Sequence, residues 1–100
     1  MNTGTITVIA RIVAKPGAID ALAKELHRLL LHTRQEPGCL EYRLHQDKNE
    51  PDTFVFYENW DSRASLDNHL QAPHFADYLA ASEKLVAEKQ VNLLHELHRD

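Results

Sequence analysis

The spacing of apolar residues alternates between two periods along this chain, and the order of the changes constrains the fold more than any other feature. A period of two is typical of strands, and a period near 3.6 is typical of helices. The period-two segments are residues 5–14, 39–47, 53–60 and 91–98, and the helical segments are residues 18–35, 63–70 and 73–86. This order predicts a ferredoxin-like α+β fold, β-α-β-β-α-β, with a four-stranded antiparallel sheet.

Helix ends are marked by residues with clear backbone preferences. Glu36-Pro37-Gly38 ends the first helix, because proline disfavours a helical conformation in the residue before it and glycine frees the turn. Asp61 or Ser62 can cap the next helix, and Pro73 suits the first turn of the last one.

The last two helical segments count as one helix broken at Pro73. Both predicted helices lie on one face of the sheet, which leaves the other face uncovered. The first strand is apolar on both sides, so we predict that it is central. The uncovered face would carry several apolar side chains, namely Ile9, Val13, Val55, Tyr57 and Leu94. Since such a face is too apolar to remain in water, we predict a homodimer that pairs through the sheet faces.

The composition excludes several classes of partner and cofactor. A net charge of −4 leaves no basic face for phosphates, so no nucleic acid is expected. The apolar run at residues 29–31 is far too short to span a membrane. The three glycines, at positions 4, 17 and 38, are too far apart to form a phosphate-binding loop, so no nucleotide cofactor is expected. The chain is long enough for one domain, residues 1–100.

The expected location is the cytoplasm. The first residues do not form a signal peptide, and the single cysteine, Cys39, cannot form an internal disulfide. A packing role fits Cys39 better than a reactive thiol.

The stretch from Phe54 to Phe75 is where the sequence points to chemistry. Glu58 shares one face of a predicted strand with Phe54, Phe56 and Trp60. Among aromatics its carboxyl would have a raised pKa and could accept a proton from a substrate. The alternative is a structural carboxylate that bonds a histidine or arginine.

Two histidines follow Glu58 and are the other candidate catalytic residues. His69 lies at the end of a helix, where the dipole favours a cation. It either faces Glu58 as part of a proton-accepting pair or makes a structural hydrogen bond. His74 lies at the start of the next helix, where the dipole favours a neutral imidazole. It is either a base or hydrogen-bond donor, or a surface residue.

Five aromatic residues are candidate substrate-binding residues, and each could instead be core: Tyr42, Phe56, Trp60, Phe75 and Tyr78. No metal site is predicted, because the chain contains no HxxxH, CxxC or facial-triad spacing.

The ordered set of motifs resembles the antibiotic biosynthesis monooxygenase family. It consists of Pro16-Gly17, Glu36-Pro37-Gly38-Cys39 before Tyr42, Phe54, Glu58-x-Trp60, and His69-Leu70-x-x-Pro73-His74-Phe75. The resemblance covers nearly the whole chain. It implies a dimeric α+β barrel and cofactor-independent oxygenation of electron-rich aromatic substrates, such as quinols and anthrone-like polyketides, in a cavity between sheet and helices.

Departures from the family patterns narrow this expectation. The positions that bind haem in haem-degrading members correspond here to Ala10 and Leu79, so haem is disfavoured. A tyrosine of the polyketide-tailoring members corresponds to Leu66. The His69–Phe75 run is most similar to that of the quinol-oxidising branch.

We therefore hypothesise a cofactor-independent monooxygenase of a quinol or other aromatic small molecule. Glu58 with His69 or His74 would accept the proton, and the deprotonated substrate would pass an electron to O2. The alternative is an isomerase-like enzyme or a non-catalytic protein that binds a small metabolite in the same pocket.

Overall fold

The structure, a computed structural model, describes residues 4–97. Its elements are β1 (Ile6–Ala14), α1 (Ile19–Thr33), β2 (Cys39–Gln46), β3 (Thr53–Trp60), α2 (Arg63–Leu70), α3 (Pro73–Ser82) and β4 (Val86–Leu94). The side chain of Ser62 caps α2 by accepting a hydrogen bond from the Ser65 backbone N–H, and Pro73 opens α3.

The four strands form one antiparallel sheet in the order β2-β3-β1-β4. The predicted ferredoxin-like α+β fold and the central position of β1 are thus confirmed. Alternate residues of β1, Val8, Ala10 and Ile12, belong to the same buried core as Leu22 and Leu26 of α1. Because β1 pairs Val8 with Glu58 and Ala10 with Phe56, this core-facing side of the sheet also carries Glu58.

The last third of the chain differs from its prediction. Helix α3 ends at Ser82, so Leu85 and Val86 do not continue its stripe, and β4 begins at Val86 rather than at Val91. Residues 95–97 are not in a strand, and His98 lies outside the described residues. The shift has a physical reason: β4 is an edge strand with almost every residue exposed, so its sequence lacks the apolar alternation that marks half-buried strands.

Gly38 places the turn after α1 close against the start of α2. Its φ of +87° lies in the region that favours glycine, and an added Cβ would overlap the Ser65 side chain. Gly17 also has a positive φ, but open space surrounds its Cα. The close approach at Gly38 therefore holds residues 36–38 next to the helix that carries His69.

No helix within residues 4–97 has both the length and the apolar content needed to cross a membrane.

Candidate functional site

A small cavity lies between the sheet and the helices, with a volume of about 100 Å³. Most of its lining is apolar. The buried ionisable side chains in the lining are Glu58, His69 and the phenols of Tyr42 and Tyr78. Its rim lies along β4, where Val91 is 52% and Leu93 46% exposed. An apolar hollow with few polar groups is the usual form of a small-molecule site.

Glu58 projects from β3 into this cavity and is only 4% exposed. The indole N–H of Trp60 donates a hydrogen bond of 2.9 Å to its Oε1. Burial, with a smaller contribution from the negative charge of Glu36, raises the pKa of Glu58 to about 7, although the Trp60 hydrogen bond opposes the shift. At neutral pH Glu58 can therefore both give and accept a proton.

His69 occupies the last turn of α2 and is 2% exposed. Its Nδ1 lies 2.7 Å from Oε2 of Glu36. Since a carboxylate only accepts hydrogen bonds, we assign the ring proton to Nδ1, which leaves Nε2 with a free electron pair. The ring packs on Trp60 and Phe75, with centroid distances of 4.8 and 5.0 Å.

The environment of His69 favours the neutral imidazole. Burial lowers the pKa of His69 and outweighs the opposing effect of Glu36. Burial thus opposes the helix dipole, which alone would favour a cation at this end of α2. His69 bonds the carboxylate of Glu36 rather than that of Glu58. The predicted direct pair of His69 with Glu58 is therefore wrong.

His74 lies in the first turn of α3, and its Nε2 is 2.5 Å from the same oxygen of Glu36. Its side chain is 23% exposed and does not line the cavity. On its outer side it stacks with His32, at a centroid distance of 5.7 Å. His74 therefore reaches the cavity only through Glu36 and His69.

Glu36 is the residue of this site that the sequence did not reveal. It precedes Pro37 in a turn, where the sequence indicates only the end of a helix. No periodicity marks it, and 33 positions separate it from His69. The signal that could have found it is chemical: two neighbouring histidines near an apolar face need a carboxylate or carbonyl partner.

The predicted substrate-binding aromatics fall into two groups. Tyr42, Phe56, Phe75 and Tyr78 line the cavity, whereas Trp60 is fully buried beneath Glu58 and His69. Burial raises the pKa of both tyrosines, and the charge of Glu58 raises that of Tyr42 further. Their phenols are therefore neutral at physiological pH.

Cys39 lies beside this site without belonging to the cavity lining. Burial first, and then the charges of Glu36 and Glu58, raise the pKa of its thiol to about 11. Because the thiolate is the reactive form, this environment supports a packing role.

A larger depression, of about 540 Å³, lies between α3 and β4. It is bordered mainly by exposed residues such as Glu83 and Lys89, and its buried hydroxyl, on Ser82, already donates to the backbone of Tyr78. We therefore place the candidate site in the smaller cavity, where the perturbed acid–base groups converge.

The prediction of no metal site rested on motifs that are local in sequence. In the structure, Glu36, His69 and His74 come from three separate segments and bring three metal-ligating atoms within 4.8 Å of one another. A spacing rule could not detect such a cluster.

Comparisons with known proteins agree with the fold. The family model described as "Antibiotic biosynthesis monooxygenase" matches residues 5–81. An Escherichia coli protein named "Probable quinol monooxygenase YgiN" is 33% identical over 103 aligned positions, which cover 89% of this chain and 95% of that protein. An uncharacterised Synechocystis protein, sll1783, is 34% identical over 83 residues, or 83% of this chain, but this chain spans only 56% of its length.

Among solved structures, PA3566 from Pseudomonas aeruginosa superposes with a TM-score of 0.92 at 35% identity, covering 98% of this chain and 99% of that one. The range matched by the family model, residues 5–81, spans every candidate acid–base residue described above. The chain therefore belongs to the antibiotic biosynthesis monooxygenase family.

Proposed function

We propose that this protein is a cofactor-independent monooxygenase that acts on a quinol or a similar small polyphenol. The observation that carries the proposal is the His69 ring, which lines an aromatic cavity and has its Nδ1 held by Glu36. We take Nε2, which this contact leaves without a proton, as the proton acceptor. The monooxygenase names of its relatives support the reaction class, and the name of the Escherichia coli relative, a probable quinol monooxygenase, supports a quinol.

The proposed reaction begins with proton removal. A quinol hydroxyl donates to Nε2 of His69, and Glu36 stabilises the imidazolium that forms. The quinolate is more readily oxidised than the neutral quinol and passes electrons to O2. One oxygen atom enters the ring and the other leaves as water, while the quinol becomes a hydroxyquinone.

Glu58 and His74 take supporting parts in this proposal. Glu58 lies in the cavity with a pKa of about 7, so its protonated form can donate a hydrogen bond to a second substrate oxygen. His74 contacts Glu36 outside the cavity. We therefore assign it a positioning role, in which it holds the Glu36 carboxylate against His69.

The size of the cavity favours a small substrate. Its volume of about 100 Å³ is below the ~150 Å³ of a cavity that holds benzene, but its rim along β4 is open to solvent. We therefore expect a substrate of one ring that is only partly enclosed and extends through the rim toward Val91 and Leu93.

Oxygen consumption tests the proposal. Purified protein is mixed with a series of quinols, and uptake is compared with that of heat-denatured protein, because quinols also oxidise spontaneously. We expect protein-dependent uptake with at least one single-ring quinol. Binding without oxygen uptake across the series would instead support the isomerase-like or metabolite-binding alternative.

We also propose a homodimer through the uncovered sheet face. The helices cover one side of the sheet only, and Ile9, Val55 and Tyr57 lie on the other side, half-buried in the single chain. Joining two such faces would remove this apolar surface from water.

A cytoplasmic location stays a prediction.

Light scattering after gel filtration is expected to give about twice the chain mass of 11.5 kDa. Replacing Tyr57 by glutamate places a charge in the proposed interface and should yield the monomer. The control is Leu31→Glu, on the exposed side of α1, which should leave the dimer intact. A wild-type mass near 11.5 kDa would contradict the proposal.

A further inference from the structure

We infer that Glu36, His69 and His74 form a binding site for one divalent first-row transition-metal ion of the Zn²⁺ class. The site lies on the Nδ1 side of the His69 ring, opposite Nε2, the proposed proton acceptor. It is distinct from the substrate position because its ligand atoms are Oε2 of Glu36, Nδ1 of His69 and Nε2 of His74.

The geometry needs little rearrangement to accept an ion. Nδ1 and Nε2 lie 2.7 and 2.5 Å from Oε2, and all three atoms lie within 4.8 Å of one another. Ligands that bind Zn²⁺ tetrahedrally at ~2.1 Å are about 3.4 Å apart. An ion that takes the place of these two hydrogen bonds would therefore lengthen each nitrogen–oxygen distance by about 1 Å or less, and would shorten the nitrogen–nitrogen distance, which is up to 4.8 Å, by about 1.4 Å.

The donor set selects the class of ion. Two imidazoles and one carboxylate suit Zn²⁺, Ni²⁺, Cu²⁺ or Fe²⁺, whereas Mg²⁺ and Ca²⁺ prefer oxygen ligands alone. Three protein ligands leave positions for water, as in open zinc sites.

The surroundings make the cluster rigid and also accessible. His69 is fixed by Trp60 and Phe75 and cannot easily turn away. His74 is partly exposed and borders a hollow of about 80 Å³ lined also by Arg28, His32 and Asp77. An ion and its waters can thus enter from the α1–α3 surface without passing through the cavity.

Metal binding has a consequence that rests on the proposed function. A neutral imidazole that coordinates an ion through Nδ1 must carry its one ring proton on Nε2, so Nε2 of His69 then donates and no longer accepts. A bound ion is therefore expected to inhibit quinol oxygenation. Binding itself does not depend on catalysis, so the two proposals can fail separately.

Titration with Zn²⁺ tests the site directly. Tag-free protein is treated with a chelator, dialysed, and titrated calorimetrically with Zn²⁺, with Mg²⁺ as a second probe. We expect one Zn²⁺ per chain at micromolar affinity or tighter, and no binding of Mg²⁺. Because loss of an outer-shell partner already costs ~10–100-fold in affinity, Glu36→Gln and His74→Ala should each weaken Zn²⁺ binding by at least about tenfold.

The matched control is His27→Ala, an exposed histidine of α1 that should leave the affinity unchanged. Circular dichroism checks that each variant is folded, and His74→Ala removes a partly exposed side chain, so its fold should persist. Cu²⁺ electron paramagnetic resonance should show hyperfine coupling to two imidazole nitrogens in wild type and to one in His74→Ala. Absence of stoichiometric Zn²⁺ binding, or equal binding by wild type and both cluster variants, would overturn the inference.

Discussion

Replacement of His69 by asparagine is expected to lower kcat for quinol oxygenation by about 10²–10⁴-fold, the usual contribution of a positioned general base. The asparagine amide N–H can occupy the place of Nδ1 and keep the hydrogen bond to Glu36. The variant then lacks only the second nitrogen, Nε2, which the proposal assigns to the substrate proton. The KM for the quinol should change much less, because the aromatic walls of the cavity remain.

The control for this variant is His27→Asn, which makes the same change at an exposed position of α1. Its kcat should equal that of wild type. Thermal melts of both variants separate lost chemistry from lost folding. A missing general base should reduce kcat by at least ~10²-fold. If a folded His69→Asn protein kept its kcat within about threefold of wild type, the assignment of His69 as the base would be refuted.

Replacement of Glu58 by glutamine is expected to stabilise the protein relative to wild type, and this gain should be larger at pH 8 than at pH 5. Burial raises the folded-state pKa of Glu58 from 4.5 to about 7, so the folded state binds its proton more tightly than the unfolded state does. The contribution of Glu58 to wild-type stability should therefore fall as the pH rises from about 4.5 to about 7, and level off above that. Glutamine stays neutral and can still accept the Trp60 hydrogen bond. The stability of the variant should therefore not fall with rising pH on account of this position.

The expected gain of Glu58→Gln over wild type between pH 5 and pH 8 is about 2–3 kcal/mol in the free energy of unfolding. Urea denaturation at several pH values measures it. The control is Glu83→Gln, at an exposed position just after α3, whose stability curve should run parallel to that of wild type. If Glu58→Gln also ran parallel to wild type, the raised pKa of Glu58 would be refuted.

The fold was predictable because most of its elements are half-buried. Strands such as β3 and helices such as α1 bury one side, and burial imposes a period on the sequence. Strand β4 is the exception. Its exposed edge position removes the constraint, so the polar segment from Ala87 to Gln90 did not reveal a strand.

The candidate site was predictable only in part, because its residues carry different kinds of signal. Glu58 is an acidic residue on an aromatic strand face, which is unusual enough to be noticed from sequence alone. The contact between His69 and Glu36 depends instead on how a turn packs against α2, through the close approach at Gly38. Such long-range placement leaves no local pattern, so both the partner of His69 and the metal-ligating cluster required the structure.

Isotope labelling tests the central claim most directly. Tag-free, chelator-treated protein is supplied with a quinol and ¹⁸O₂, and the product is analysed by mass spectrometry beside that of His69→Asn. The account predicts one ¹⁸O atom per product molecule, formed by wild type without added metal or organic cofactor and almost absent with His69→Asn. Unlabelled product, or labelling that appears only when a metal ion or another cofactor is restored, would contradict it.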